Sequence, residues 1–374
     1  MVQPTLGTNM ATYDVAVVGT GAEPENPTVD SWSMAYRHAE AYERNDDTRL
    51  VAAADRHPDR VDAFADRFDI PEEGRFDDAI ELLDAVEPDV VSLTVPPEAH
   101  ADLTVAAARR GVEAIHCEKP MDATWGGAQR MAQAAWRADA QLTFHRMRRF
   151  GRPFRAATEL LDAGEIGDLQ RVEIGWDDFY DTGAHSIDLA GMFAGEPGAE
   201  WVLAQLDYRE EDVRFGMHQE NQMLAQWTYD NGVDGLLSTG DRSDLVGAAF
   251  HLVGSDGAIR IDTDDGPMLE CRRAGSGTWE TVDVDGETLH HAGTGNFEYG
   301  NAYHQRAIDD VIDALGSDRE SELRAQNGLN TAEIIFGGYE SVRRRGRVDF
   351  PLDIDDNPFE AMVQAGEVGP DDEN

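Results

Sequence analysis

The sequence predicts two domains: an α/β domain on a parallel sheet, followed by an α+β domain on an open, mostly antiparallel sheet. Strand and helix patterns alternate through residues 11–145, and repeated units of that length imply parallel strands covered on both faces. From residue 146 to 360 most runs are strand-like and are punctuated by Asp230-Asn231-Gly232, Ser255-Asp256-Gly257 and Asp285-Gly286, which are turn signals. With 374 residues and 41% apolar content, the chain can fill two cores. Residues 361–374 read as an acidic tail, frayed from about Val368.

Taken in order, Tyr13 to Val18 is an apolar strand ending at Gly19-Thr20-Gly21, and Met34 to Arg44 is a helix. Leu50 to Ala54 is a strand closed by Asp55. Pro58 to Phe68 is a helix with Val61, Phe64, Ala65 and Phe68 on one face. Val90 to Val95 is a strand ended by Pro96-Pro97, and Ala99 to Arg110 a helix with Gly111 past its end. Ala114 to Cys117, Ala123 to Ala138 and Gln141 to Phe144 complete the first domain as strand, helix and strand. In the second, helices are expected at Pro153 to Asp162, around Ser186 to Phe193, at Tyr303 to Leu315 and at Leu329 to Arg344. The last two pack on the second sheet or return to the first domain. Strands are expected at Leu169 to Ile174, Trp201 to Leu206, Gln222 to Tyr229, Val233 to Thr239, Ala248 to Val253, Ala258 to Ile261 and Trp279 to Val284.

Acids outnumber bases 74 to 31, giving a formal net charge of −43. The acids are spread from end to end, so the charge reads as a solvated surface adapted to a salt-rich interior, as in a halophile cytoplasm. Such a surface excludes nucleic acid and anionic membranes as partners. No stretch approaches the 18 apolar residues of a membrane span, and the first twelve residues lack the basic start and apolar run of a signal peptide; the expected location is the cytoplasm. The two cysteines, Cys117 and Cys271, have no cysteine neighbours, so neither a disulfide framework nor a zinc site is expected, and no metal is assigned.

Lys119 is the only lysine, inside Glu118-Lys119-Pro120. A chain that uses Arg or His for every other base needs an ammonium there, because Lys can shift its pKa and exchange a proton where Arg cannot. Gly19-x-Gly21 directly follows the first strand, where glycines let the backbone turn tightly and approach a pyrophosphate. Pro24 stands where the third glycine of that pattern falls, and the polar stretch Glu23 to Ser33 delays the helix. Asp55, at the end of the second strand, is placed to accept hydrogen bonds from ribose hydroxyls and to repel a 2′-phosphate, which favours NAD. The neighbouring Arg56 keeps NADP open.

Further segments resemble the Gfo/Idh/MocA oxidoreductases, the glucose–fructose oxidoreductase and inositol dehydrogenase family. They are Thr94-Val95-Pro96-Pro97-Glu98-Ala99-His100, Glu118-Lys119-Pro120, Asp181-Thr182-Gly183-Ala184-His185 and Ser255-Asp256-Gly257-Ala258-Ile259. The likeness covers roughly residues 13 to 360. It implies a Rossmann domain with Gly19, Thr20 and Gly21 at the pyrophosphate and Asp55 at the adenosine ribose. Thr94, Pro96 and His100 would border the nicotinamide half, with Glu118 and Lys119 at its ribose. Lys119, Asp181 and His185 would be the catalytic residues. Oxidising an alcohol requires removal of its hydroxyl proton, and a His with pKa near neutrality suits that role. Lys119 would polarise the reacting oxygen or relay its proton, and Asp181 would bind a substrate hydroxyl or orient the imidazole. Asp188 is expected to support its helix.

The resemblance implies an NAD(P)-dependent dehydrogenase acting on a secondary alcohol of a sugar, polyol or cyclitol. A redox-neutral NAD-dependent glycosidase or lyase, or a non-catalytic NAD- or sugar-sensing regulator, would use the same fold. It also implies a homodimer or homotetramer joined through the second sheet, with Trp201 and Trp227 as core or interface residues. The connection Val172 to Asp181 is short for the family; in it, Trp176 and Tyr180 are available to stack on a sugar ring, to pack in the core or to meet a partner copy.

Overall fold

The computed structural model describes residues 12–24, 33–263, 266–290 and 297–370. The first domain runs β1 (Tyr13–Val18), α1 (Met34–Glu43), β2 (Thr48–Ala54), α2 (Pro58–Arg67), β3 (Arg75–Phe76), α3 (Ala79–Val86), β4 (Val90–Leu93), α4 (His100–Arg109), β5 (Ala114–Cys117), α5 (Trp125–Ala138) and β6 (Gln141–Phe144). Its six strands are all parallel, in the order β3-β2-β1-β4-β5-β6. β1 and β4 are neighbours although two strands separate them in sequence. The crevice at their carboxyl ends is therefore the topological switch point, where open α/β sheets bind ligands.

The second domain runs α6 (Arg152–Asp162), β7 (Leu169–Trp176), α7 (Gly183–Phe193), β8 (Ala199–Asp207), β9 (Val213–Arg214), β10 (Met217–His218), β11 (Gln222–Tyr229), β12 (Asp234–Thr239), β13 (Phe250–Gly254), β14 (Ala258–Ile261), β15 (Leu269–Arg272) and β16 (Glu280–Thr281). α8 (Ala302–Leu315), α9 (Ala325–Arg344), β17 (Val348–Asp349) and α10 (Pro358–Gln364) follow. The nine-stranded sheet has the order β16-β15-β14-β13-β7-β12-β11-β8-β17 and is antiparallel except between β7 and β12. Alternation is clear on β11, where Met223, Ala225, Trp227 and Tyr229 are buried while Leu224 and Gln226 are exposed, as expected of a sheet with one packed face. Trp227 is thus a core residue, whereas Trp201 is half-exposed beneath the Arg347 guanidinium, 4.7 Å from its ring.

Three features depart from the expected elements, and one alternative left open is decided. α3 was not anticipated, although Asp78 caps it by accepting from Ile80 and Glu81 N–H groups and Asp78-x-x-Glu81 is a capping signature. The strand expected at Trp279 to Val284 shrinks to Glu280–Thr281, and β15 takes the inner position through the alternating burial of Leu269 and Cys271. Of the two packings open to it, α8 takes the return to the first domain: Ile308 and Ile312 pack with Val15, Tyr42, Val90 and Ala114. The packed chain also continues past residue 360, because Asn357 caps α10 and Phe359 and Met362 are buried. Residues 371–374 of the acidic tail lie outside the described residues, as do 25–32 of the loop after Gly21. Among the described residues no helix is long and apolar enough to cross a membrane.

Candidate active site

A cleft of about 670 Å³ opens at the switch point, with the glycine turn, Pro96, Lys119, Arg148 and His185 among its walls. Gly19 has φ +90° and Gly21 φ +65°, a region that favours glycine. A Cβ on Gly19 would lie 2.6 Å from the Val95 side chain and 2.9 Å from the Thr94 carbonyl, so no other residue fits that turn. Thr94 locks it, donating from N to Val18 O at 2.9 Å and from Oγ1 to Gly19 O at 2.9 Å. Asp55 braces it from β2, accepting from Gly21 N at 3.1 Å and from Thr20 Oγ1 at 3.5 Å. Arg56 is exposed beside Asp55.

His100 lies behind the cleft wall, fully buried. Its Nε2 is 2.9 Å from Val95 O and its Nδ1 is 3.1 Å from Pro120 O. It ties the β4 loop to the Glu118-Lys119-Pro120 loop. Glu118 points Oε1 at His38 Nε2, 2.9 Å away, and accepts from Lys119 N at 3.2 Å.

Lys119 reaches across to the second domain, donating from Nζ to Asp181 Oδ1 at 2.5 Å and to Asp181 O at 3.2 Å. Asp181 precedes α7 and does not cap it. The N-cap position is Thr182, which is held by the carboxylate of Asp178 accepting from Thr182 N and Thr182 Oγ1, both at 2.8 Å. Asp181 is therefore free to face the cleft, with its Oδ2 buried and without a protein partner. His185, one turn into α7, has a buried Nδ1 that also lacks a protein partner. Burial, followed by the charges of Arg148, Lys119 and Arg146, drives its pKa well below 6.5, lower than the near-neutral value the sequence suggests. The imidazole is neutral at physiological pH, the state a general base needs.

Sequence reasoning missed the basic run His145-Arg146-Met147-Arg148-Arg149, conspicuous in so acidic a chain. Arg146 and Arg149 are buried and both bond Asp188, with Arg149 Nε 2.6 Å from Oδ2. Asp188 thus fastens the β6 connection to α7. His145 belongs to a buried chain of imidazoles. Arg37 can only donate, so His304 Nε2 accepts from it at 3.3 Å. His304 Nδ1–H must then donate to His145 Nε2 at 2.8 Å, and His145 Nδ1–H to His116 Nε2 at 2.9 Å. His116 Nδ1–H ends the chain on Thr143 Oγ1 at 2.8 Å. One permanent cation fixes three tautomers, and burial pushes all three pKa values well below 6.5. One nitrogen each from His38, His116 and His145 lies within 4.8 Å of the others. Each ring nitrogen of these three already has a hydrogen-bond partner, so the cluster is complete without a metal.

Trp176 and Tyr180 both turn inward. Trp176 packs on Phe250 with ring centroids 5.4 Å apart, and the buried Tyr180 hydroxyl donates to Asp122 O at 2.9 Å.

A parallel sheet in this order, a glycine turn at its switch point, and Lys119 of the same domain meeting Asp181 and His185 at the start of α7 define a nucleotide-binding oxidoreductase fold. Profiles of the oxidoreductase family match the chain twice, the NAD-binding Rossmann fold over residues 14–145 and the C-terminal alpha/beta domain over 159–350. The chain belongs to the Gfo/Idh/MocA oxidoreductase family and carries its NAD-binding domain. It is 34% identical over 174 residues to an inositol 2-dehydrogenase of Rhizobium meliloti, covering 42% of this chain and 51% of that protein. It is 27% identical over 210 residues to a D-glucoside 3-dehydrogenase of Escherichia coli, covering 51% and 56%. The chain therefore spans about half the length of the curated relatives it matches. A levoglucosan dehydrogenase solved with NADH and L-sorbose superposes with a TM-score of 0.75 at 19% identity, over 92% of this chain and 100% of that one, which shows a shared fold.

Proposed function

We propose that this protein oxidises a secondary alcohol of a sugar, polyol or cyclitol with NAD. The observation that carries the reading is the meeting of Lys119, Asp181 and His185 in the cleft that begins at Gly19 and Gly21, with His185 Nδ1 and Asp181 Oδ2 buried and unpaired. Unpaired buried polar atoms destabilise the free protein by about 1–3 kcal/mol each, which a hydroxylated ligand would recover. The glycine turn has the shape that a pyrophosphate requires, with Glu118 and Lys119 beside the nicotinamide ribose and Asp55 near the adenosine ribose. The bound nicotinamide supplies the hydride acceptor. Lys119 Nζ holds the reacting oxygen as its charge grows, neutral His185 takes the hydroxyl proton, and Asp181 Oδ2 accepts a neighbouring hydroxyl of the substrate. The names of the relatives, an inositol and a glucoside dehydrogenase, support this substrate class.

We extend the reading to a homodimer or homotetramer joined through the outer face of the second sheet, where Leu203 and Leu224 are 46% and 38% exposed. The test is a panel of sugars, polyols and cyclitols with NAD or NADP at high salt, followed by NAD(P)H absorbance, with Lys119→Ala and His185→Ala beside the wild type. Reduction lost in both variants is the expected result. Cofactor binding without net reduction on any substrate would sink it.

A further inference from the structure

We propose that a second cavity, between the end of β7 and the turn at residues 243–249, binds the second ring of a glycoside or disaccharide whose first ring reacts at Lys119, Asp181 and His185. The inference rests on the dehydrogenase reading above. The cavity is about 220 Å³ and is lined by Trp176, Asp177, Ser243, Asp244, Asp262 and His290 among others.

Arg148 joins the two spaces. It lines the cofactor cleft, its guanidinium lies 4.8 Å from the centre of the Trp176 ring, and its Nη2 is 3.1 Å from His290 Nδ1. Trp176 and His290 both line the second cavity. A substrate ring held at His185 therefore has Arg148 at its far side, and the next ring along meets Trp176 and His290.

Unpaired atoms mark the same route. Arg148 Nε, Arg148 Nη1 and Trp176 Nε1 are buried and have no protein partner, although Arg148 is only 7% and Trp176 5% exposed. They extend the series begun by His185 Nδ1 and Asp181 Oδ2. All three are donors, so the missing groups are acceptors. The carboxylates of Asp177 and Asp244 ask for donors in the same space and repel an anion. A hydroxyl is both donor and acceptor, so a neutral polyhydroxylated ring satisfies both sets. An apolar group would leave the donors unpaired, and an anionic one would face two carboxylates.

The experiment compares one-ring and two-ring substrates that share the same reacting ring, at high salt with NAD. The ratio of two-ring to one-ring kcat/KM should be well above one in the wild type. It should fall about tenfold in Asp244→Ala, the loss of one hydrogen bond to a charged group, and as far in Ser243→Tyr, which fills the cavity. Calorimetry on the NADH-loaded protein, which cannot oxidise an alcohol, reads the subsite without turnover, and a binding margin for two-ring ligands that Ser243→Tyr removes supports it. Equal binding of one- and two-ring ligands by the wild type, or a margin untouched by Ser243→Tyr, overturns the subsite. Absence of NAD reduction on every substrate overturns the dehydrogenase reading instead, and the calorimetric margin still decides whether the second ring binds.

Discussion

Lys119 Nζ lies 2.5 Å from Asp181 Oδ1, so the chain's single ammonium, on a loop of the first domain, is held by a carboxylate of the second. Asp181 is only 1% exposed, and a carboxylate so deeply buried requires a counter-charge. The pair fixes the distance between the loop after β5 and the start of α7. Lys119→Ala removes the cation and the oxygen-binding donor together, and kcat/KM should fall at least about a thousandfold. Lys119→Arg should rescue little, since a planar guanidinium fits neither the geometry nor a proton exchange. Steady-state kinetics with separate measurement of NAD affinity is the check, and near-wild-type kcat in Lys119→Arg would remove the special role of the ammonium.

The buried imidazoles predict how stability depends on pH. His116, His145, His185 and His304 all have folded pKa values well below 6.5, chiefly from burial. Below pH 6.5 the unfolded chain binds protons that the folded chain refuses, so this stability is complete above that pH and lost as the pH falls toward the folded values. Each group contributes a slope of up to about 1.4 kcal/mol per pH unit. Tm at constant high salt should be flat from about pH 7 upward and drop below about 6.5, before carboxylates titrate near 4. A Tm that holds steady down to pH 5 contradicts the neutral, hydrogen-bonded assignment. The acid limb of kcat should lie below 6.5 for the same reason, because His185 stays unprotonated there.

The parallel sheet was legible because its strands are continuous apolar runs, and Gly19, Lys119, Asp181 and His185 because each stands in a motif with a physical demand. The short α3 and α10 were passed over although Asp78 and Asn357 mark their starts, since brief helices show too few turns for periodicity to register. The return of α8 to the first domain could not be read from its pattern: an apolar stripe records that a helix is covered, not by what. The imidazole chain was invisible because His38, His116, His145 and His304 come from four elements and meet only in the fold. The loop-tying bonds of His100 were hidden for a related reason, since nothing in a sequence distinguishes a histidine that lines a cleft from one that ties two loops together.

Asp188 is the centre of a buried ion cluster, with Arg146 and Arg149 on its two oxygens and Glu196 completing Arg149. Removing one partner of such a group leaves a charge buried without compensation, which typically costs about 3–5 kcal/mol. Asp188→Asn should therefore lower the unfolding free energy by about that amount in denaturant titrations at high salt. A loss below about 1 kcal/mol would mean that water reaches the arginines.

Asp55 should decide the cofactor. Its carboxylate stands at the end of β2 beside the exposed Arg56 and already accepts from Gly21 N. Asp55→Ser should weaken NAD by removing the ribose acceptor and improve NADP by removing the repulsion of its 2′-phosphate, reversing a preference of about tenfold or more. The ratio of kcat/KM for the two cofactors is the measurement, and an unchanged ratio would leave Asp55 only its role in bracing the glycine turn.

Salt should stabilise this protein, and the argument turns on which electrostatic effect is larger. Salt weakens surface ion pairs such as Arg75 with Asp66 and Arg110 with Asp84, but exposed pairs contribute little to stability. Against them stand 43 uncompensated negative charges. At 0.1 M the screening length is about 10 Å, long enough for neighbouring carboxylates to repel, and at 1 M it is about 3 Å. Relief of repulsion should therefore win. Tm should rise between 0.1 and 2 M KCl by on the order of 10 °C, the shift a few kcal/mol produces in a chain of this size. Most of the rise should come below 1 M, where the screening length changes fastest. A rise that continues undiminished above 1 M would point to salt exclusion from the surface as the cause, and a falling Tm would show that the ion pairs outweigh the net charge.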